Sequence, residues 1–191
     1  CDRVVIYQFN PDWSGMFVAE SVASGWISLL LQQNKEPHLT EDILNSENCA
    51  VRTWGVTQES IQDTYLQETQ GCTFRESSRY LVSEDIYTTR LTPCHIELLE
   101  RFQARAYIIV PIFCGNQLWG LLASYQNSSA RTWDEAEINV AVQIGTQLGV
   151  ALQQAQLLEA TQKQSVQLQG AALAAESANR AKSTFIANMS H

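Results

Sequence analysis

The chain has 191 residues, 45% of them hydrophobic, enough for one packed domain and an appendage. Its net charge is −8, and its basic residues form no patch beyond the scattered Arg180 and Lys182, which argues against nucleic acid as a partner. No apolar run approaches the ~18 residues of a membrane-spanning helix, and the N-terminus has no signal-peptide pattern, so a cytoplasmic protein without a membrane segment is expected.

The first residues, "RVVIYQF" (3–9), are β-branched and aromatic and read as a strand. "NPDWSG" (10–15) is turn-like, and "MFVAES" (16–21) alternates as the second strand of a hairpin. With no helix ahead of this sheet, the chain reads as an excised piece whose N-terminal helix is missing. "TEDILNS" (40–46), with a Thr N-cap and an acidic first turn, predicts a short helix, and "TQESIQDTYLQET" (57–69) a second helical stretch or helix-like loop. "RYLVSEDIY" (79–87) contains a strand. "PCHIELLERF" (93–102) predicts a helix, because Pro93 suits the first helical position and Ile96, Leu99 and Phe102 make an apolar stripe. "RAYIIVPIF" (105–113) and "QLWGLLASYQ" (117–126), joined by "CGN", form a hairpin apolar enough to be central to the sheet. From 134 to 191 there is no proline, and Ile144, Leu148, Leu152, Ala155, Leu158 and Val166 recur at near-helical spacing. This predicts one long helix, or two in register, seeking a partner helix, most simply its own copy in a homodimer. The plan is α+β: a central antiparallel β-sheet flanked by helices, with a long C-terminal output helix.

The five cysteines, Cys1, Cys49, Cys72, Cys94 and Cys114, form no CxxC, so no zinc site is expected and free thiols in a reducing compartment are. One of them stands in "TPCHIE" (92–97). Adjacent helical residues point about 100° apart, so Cys94 and His95 cannot easily act as nucleophile and base for each other. His38 and His191, the other histidines, sit on no recognisable catalytic motif, and the same scarcity of ligands argues against a metal. Two readings stay open on the residues alone. One is a buried cysteine beside a surface histidine. The other is a covalent anchor, a thiol made nucleophilic by its place at a helix start.

"EDIYTTRLTPCHIELLERFQARAYIIVPIF", with "CDRVVIYQFNPDWSGMFVAESV" before it and "LWGLLASYQNSSARTW" after it, resembles the GAF domains of cyanobacteriochromes, phytochrome-related photoreceptors that carry a linear tetrapyrrole. The resemblance covers residues 1–150. It implies that Cys94 is the thioether attachment point of a bilin, usually phycocyanobilin. It also implies that His95 packs on the tetrapyrrole, that Asp63 in "IQDTYLQETQG" accepts hydrogen bonds from pyrrole N–H groups, and that Tyr125 in "ASYQN" and Tyr87 in "DIY" line the pocket. A buried carboxylate suits a protonated, cationic bilin.

Some positions depart from the family pattern. Ile61 stands where red/green members commonly carry a stacking Trp. Thr73 and Phe74 occupy the places of an Arg-Tyr pair, leaving Arg75 or Arg79 to meet a propionate. Tyr65 holds the place of one known second adduct cysteine, which makes Cys72 the candidate second thiol.

"KSTFIANMSH" (182–191) is similar to the start of the phosphoacceptor helix of a sensor histidine kinase, ending on the phosphoacceptor His191. The implied organisation is a bilin-binding GAF domain over 1–150, a connecting signalling helix over 151–181 and the start of the kinase dimerisation region over 182–191. The implied function is a photosensor that switches between two coloured states by double-bond isomerisation. It would signal to a kinase output and, through the parent kinase, to a response regulator. The fragment alone contains no ATP-binding domain and is not itself an enzyme. The rival expectation is a GAF regulatory domain of a sensor kinase that binds a small ligand without photochemistry.

Overall fold

The computed structural model describes residues 1–11, 14–33, 61–62, 80–91 and 93–189. Strand β1 (Arg3–Phe9) alternates as its sequence requires, with Arg3, Val5, Tyr7 and Phe9 buried on one face. It pairs antiparallel with β2 (Ser14–Val22), with a register shift between Ile6 and Tyr7. A one-turn helix, α1 (Leu29–Gln32), follows, its Ser28 hydroxyl accepting from the Leu31 N–H at 3.1 Å.

β5 (Ala106–Cys114) and β6 (Gln117–Gln126) form the expected hairpin. Cys114 pairs with Gln117, so the turn is the two residues Gly115 and Asn116. Gly115 takes φ 61°, a left-handed conformation that glycine adopts without strain. With β3 (Ile61–Gln62) and β4 (Leu81–Ser83) the strands make one six-stranded sheet in the order β3-β2-β1-β6-β5-β4, every neighbouring pair antiparallel.

One expectation changes, at 61–62, and the strand expected within 79–87 is present as β4. Residues 61–62, placed by pattern in a helical stretch or helix-like loop over 57–69, instead pair with Ser14 and Gly15 as the edge of the sheet. A neighbouring strand with free backbone groups outweighs local helical preference there. The rest of that stretch, and the short helix expected over 40–46, lie outside the described residues. The strand within 79–87 stops at Ser83, because Asp85 turns the chain: its carboxylate accepts from the Tyr87 N–H at 3.0 Å, and its carbonyl from the Thr88 and Thr89 N–H groups at 3.1 Å.

The sheet is covered on both faces, which is why β5 and β6 are apolar almost throughout. One face carries α2 (Pro93–Arg101) over a core that includes Val5, Tyr7, Phe9, Phe17, Leu99, Phe102, Tyr107 and Tyr125. The other receives the start of α3 (Glu135–Met189), a single 55-residue helix. Its first turn is a capping box: the Glu137 N–H donates to Asp134 Oδ1 at 2.9 Å, and Glu137 Oε2 accepts from the Asp134 N–H at 3.2 Å. Trp133, just ahead, is buried and donates its indole N–H to Ser83 O at 3.1 Å. Gly145 and Gly149 then lie directly on β5. A Cβ added at Gly145 would stand 2.7 Å from Val110 Cγ1, and one at Gly149 only 2.1 Å from Phe113 O.

The chain divides into two compact units, Cys1–Val150 and Ala151–His191. In the second, the described residues are helical through Met189, and Leu157, Leu158, Val166, Leu168, Leu173, Phe185, Ile186 and Met189 are all exposed. Ion pairs four residues apart support that helix, Glu159 with Lys163 at 2.6 Å and Glu176 with Arg180. No helix of the described residues is long and apolar enough to cross a membrane.

Candidate functional site

α2 begins as its sequence dictates. Pro93 occupies the first helical position, where a missing N–H costs nothing, and Cys94 and His95 follow in the first turn. His95 is half-buried, and the Cys94 side chain lies outside the described parts. The other end of α2 is closed by a Schellman motif. The Ala104 N–H donates to Leu99 O and the Gln103 N–H to Glu100 O, both at 2.8 Å. Gln103 holds the left-handed position, at φ 56°, where glycine is usual. Its side chain compensates, since Oε1 accepts from the Ile27 N–H at 3.1 Å and ties the helix end to the loop after β2.

Under α2 lies a run of aromatic rings. Tyr7 meets Phe9 edge-on at 5.3 Å and Phe17 at 5.5 Å, Phe17 meets Phe102 at 5.5 Å, and Phe102 meets Tyr125 at 6.3 Å. Tyr125 is 4% exposed. Burial pushes its phenol pKa far above the usual tyrosine range, against the opposing charge of Arg3, so the hydroxyl stays a neutral donor at any physiological pH. Burial raises the pKa of Tyr107 in the same direction.

Arg3 is the surprise of this face. It is 1% exposed and donates to Phe102 O and, at 2.5 Å, to Ile27 O, while its Nε faces Glu20 Oε1 at 3.2 Å. Burial pulls the guanidinium pKa down and the Glu20 carboxylate pushes it back up. Glu20 also accepts from Ser28 Oγ at 2.5 Å and the Leu29 N–H at 2.9 Å. One buried ion pair thus joins β1, β2, the start of α1 and the end of α2. The alternation of "RVVIYQF" already placed Arg3 on the Val5–Tyr7–Phe9 face; what it lacked was any sign of a partner.

Of the expected site residues, the structure puts Tyr125 in the aromatic face and His95 in the first turn of the helix above that face. Tyr87 stands elsewhere. It is 50% exposed, donates its hydroxyl to Glu100 Oε1 at 2.7 Å near the C-terminal end of α2, and carries the Arg105 guanidinium 4.4 Å above its ring. The hydrogen bond to Glu100 raises its pKa. Asp63, Cys72, Thr73, Phe74, Arg75 and His191 lie outside the described residues. Among the described residues no cluster of three or more His, Cys, Asp or Glu side chains is disposed to hold a metal. The arrangement that remains is an apolar, ring-lined face with a neutral phenol in it and a helix across it that starts on a thiol.

The sequence profile of the GAF domain matches residues 1–152. A curated relative, the circadian input-output histidine kinase CikA of Synechocystis sp., is 39% identical over 210 residues; the match covers 100% of this chain and 26% of that kinase. Among solved structures, the red-light-absorbing state of NpR6012g4, a red/green cyanobacteriochrome, is 46% identical with a TM-score of 0.63, covering 83% of this chain and 86% of that one. The far-red-absorbing dark state of JSC1_58120g3 with bound biliverdin IXa is 35% identical with a TM-score of 0.63, covering 81% of each. The structural neighbours are cyanobacteriochrome GAF domains.

Proposed function

The chain belongs to the GAF family, and from that premise we propose that its 1–150 unit is a covalent bilin photosensor serving a histidine kinase. The observation that carries this reading is the placement of Pro93-Cys94-His95 in the first turn of α2, a helix seated through Leu99 and Phe102 on the aromatic face that ends at Tyr125. The likeness to cyanobacteriochrome GAF domains supports it.

Cys94 is the tether. His95, half-buried beside it, covers the ligand and offers it a ring N–H. Tyr125 donates from a buried, permanently neutral hydroxyl. Asp63 supplies the counter-charge to pyrrole N–H groups, and Thr73, Phe74 and Arg75 complete the pocket. The ring face and α2 exclude water, which strengthens each of these polar contacts. A linear tetrapyrrole, phycocyanobilin as the expected form, supplies visible absorption and an isomerisable double bond. The structural consequence passes to α3 through β5, on whose backbone Gly145 and Gly149 rest. Residues 151–181 act as the connecting helix and 182–191 as the start of the phosphoacceptor region, with His191 the phosphoacceptor. The exposed apolar side chains of 151–189 pair with those of a second copy, in a cytoplasmic kinase that phosphorylates a response regulator.

Coexpression with phycocyanobilin-synthesising enzymes tests the core of this reading. The purified chain is expected to be coloured, to change absorption on irradiation, and to keep a zinc-fluorescent bilin after denaturing electrophoresis. A colourless protein that binds a non-absorbing small ligand instead would replace it with the regulatory-domain reading.

A further inference from the structure

Three residues form a row across neighbouring strands on the buried face. Arg3 of β1 lies directly opposite Tyr125 of β6, and Tyr125 directly opposite Tyr107 of β5. All three are buried. Opposed residues on one face of a sheet have Cβ atoms about 5 Å apart, so a full cation stands on one side of the Tyr125 side chain and a neutral phenol on the other. The guanidinium is held from elsewhere. Nη1 donates to Phe102 O, Nη2 to Ile27 O, and the Glu20 carboxylate lies 3.2 Å from Nε. None of these partners is Tyr125, which receives from Arg3 its charge. At the phenol that charge opposes the effect of burial, and Glu20 is not among the groups that act there. Stability alone does not call for a cation at this place, because a buried ion pair is commonly no more stable than packed apolar residues of the same volume.

Resting on the photosensor reading above, we propose that Arg3 is a positioning residue for the bilin site: its fixed cation polarises the Tyr125 O–H and sets the strength of the hydrogen bond that this phenol gives the bilin. A cation beside a hydroxyl draws electron density from the oxygen and makes the proton a better donor. In a dry, apolar face water does not screen that effect. Arg3 touches no ligand itself; it acts through Tyr125. A hydrogen bond to a conjugated ligand shifts the ligand's electron density, so the strength of the donor is read as colour and as the rate of return after irradiation.

The test is a substitution cycle on the chain coexpressed with phycocyanobilin synthesis. The absorption maximum and the rate of thermal return are measured for wild type, Arg3→Met/Glu20→Gln, Tyr125→Phe and the combination, each checked for folding by near-ultraviolet circular dichroism. The neutral pair removes the charge without leaving a carboxylate unpaired. It should displace the band and change the return rate about threefold or more, and both effects should vanish in the Tyr125→Phe background. Arg3→Lys runs the same cycle and decides the matter where the neutral pair does not fold. An ammonium is a compact charge that cannot fork between two carbonyls, so it too should displace the band with Tyr125 present and not without it. Folded Arg3 variants that keep the wild-type band and return rate, or whose changes persist in full without the Tyr125 hydroxyl, overturn the proposal, since a purely structural clasp moves stability alone. The Cζ NMR resonance of Tyr125, assigned with Tyr125→Phe, separates this role from the photosensor reading. It should shift in the Arg3 variants whether or not the purified chain is coloured. A colourless wild type overturns the photosensor reading; an unmoved Cζ resonance overturns the role of Arg3.

Discussion

Gly149→Ala is expected to destabilise the Cys1–Val150 unit, against the rule that alanine favours a helix. Helix propensity alone puts the change at about 1 kcal/mol in favour of alanine. The structure reverses the sign. A Cβ at 149 would stand 2.1 Å from Phe113 O and 3.1 Å from Phe113 C. Real Cβ atoms almost never come closer than 3.0 Å, so the helix must retreat from β5 by about an ångström. The obstacle is strand backbone, held by the β5–β6 ladder, and cannot rotate aside as a side chain can. Overpacking of this kind costs about 1–3 kcal/mol, and a backbone obstacle belongs near the top of that range. The net expectation is a loss of about 2 kcal/mol, read as a lower urea midpoint for the tryptophan signal of the whole chain. Gly170→Ala is the control. Nothing lies within 4 Å of its added Cβ, so the propensity gain stands alone, and helicity over 151–189 should rise and melt later. If Gly149→Ala proved neutral or stabilising while Gly170→Ala stabilised, the close seating of α3 on β5 would be wrong.

Cys94→Ala, coexpressed with bilin synthesis, should lose the zinc-fluorescent band after denaturing electrophoresis, while Cys114→Ala should keep it. Arg3→Met should cost about 3–5 kcal/mol in urea unfolding, since it leaves the buried Glu20 carboxylate without its cation; the double variant Arg3→Met/Glu20→Gln should recover part of the loss. Asp2 should show its contribution in acid. Partial burial raises its pKa, but the N–H groups of Asn127 and Ser128 and the Ser128 hydroxyl lower it more, for a net value below the ordinary 3.8. Its folded value being the lower, the stability it adds is fully present above the unfolded value and is lost as pH falls through the folded one. The gap between wild type and Asp2→Asn in urea midpoint should therefore hold at neutral pH and close below about pH 4.

The β5–β6 hairpin, the start of α2 at Pro93 and the long helix α3 were legible because each is written within a few residues: apolar runs around a glycine turn, a proline before an apolar stripe, an unbroken helical period. Cys94 stood out through the motif around it, and Tyr125 through its place in a strand whose alternation puts it on the buried face. Less visible were the strand at 61–62, the end of β4 at Ser83, and Gln103 in a conformation where glycine is usual. Each depends on a partner distant in sequence or on a side chain that turns back on its own backbone. The partner of Tyr87 was as little visible: its hydroxyl donates to Glu100, near the C-terminal end of α2.

By itself, then, the sequence determined the class of the fold, the order and kind of its main elements, and the family it resembles, since periodicity and turn chemistry are local. Only the tertiary structure decided that Arg3 closes over Phe102, 99 residues away, and that Gly145 and Gly149 are glycines because a strand backbone lies against them. Those facts are distances between elements, and a linear pattern carries no information about them until the sheet has closed.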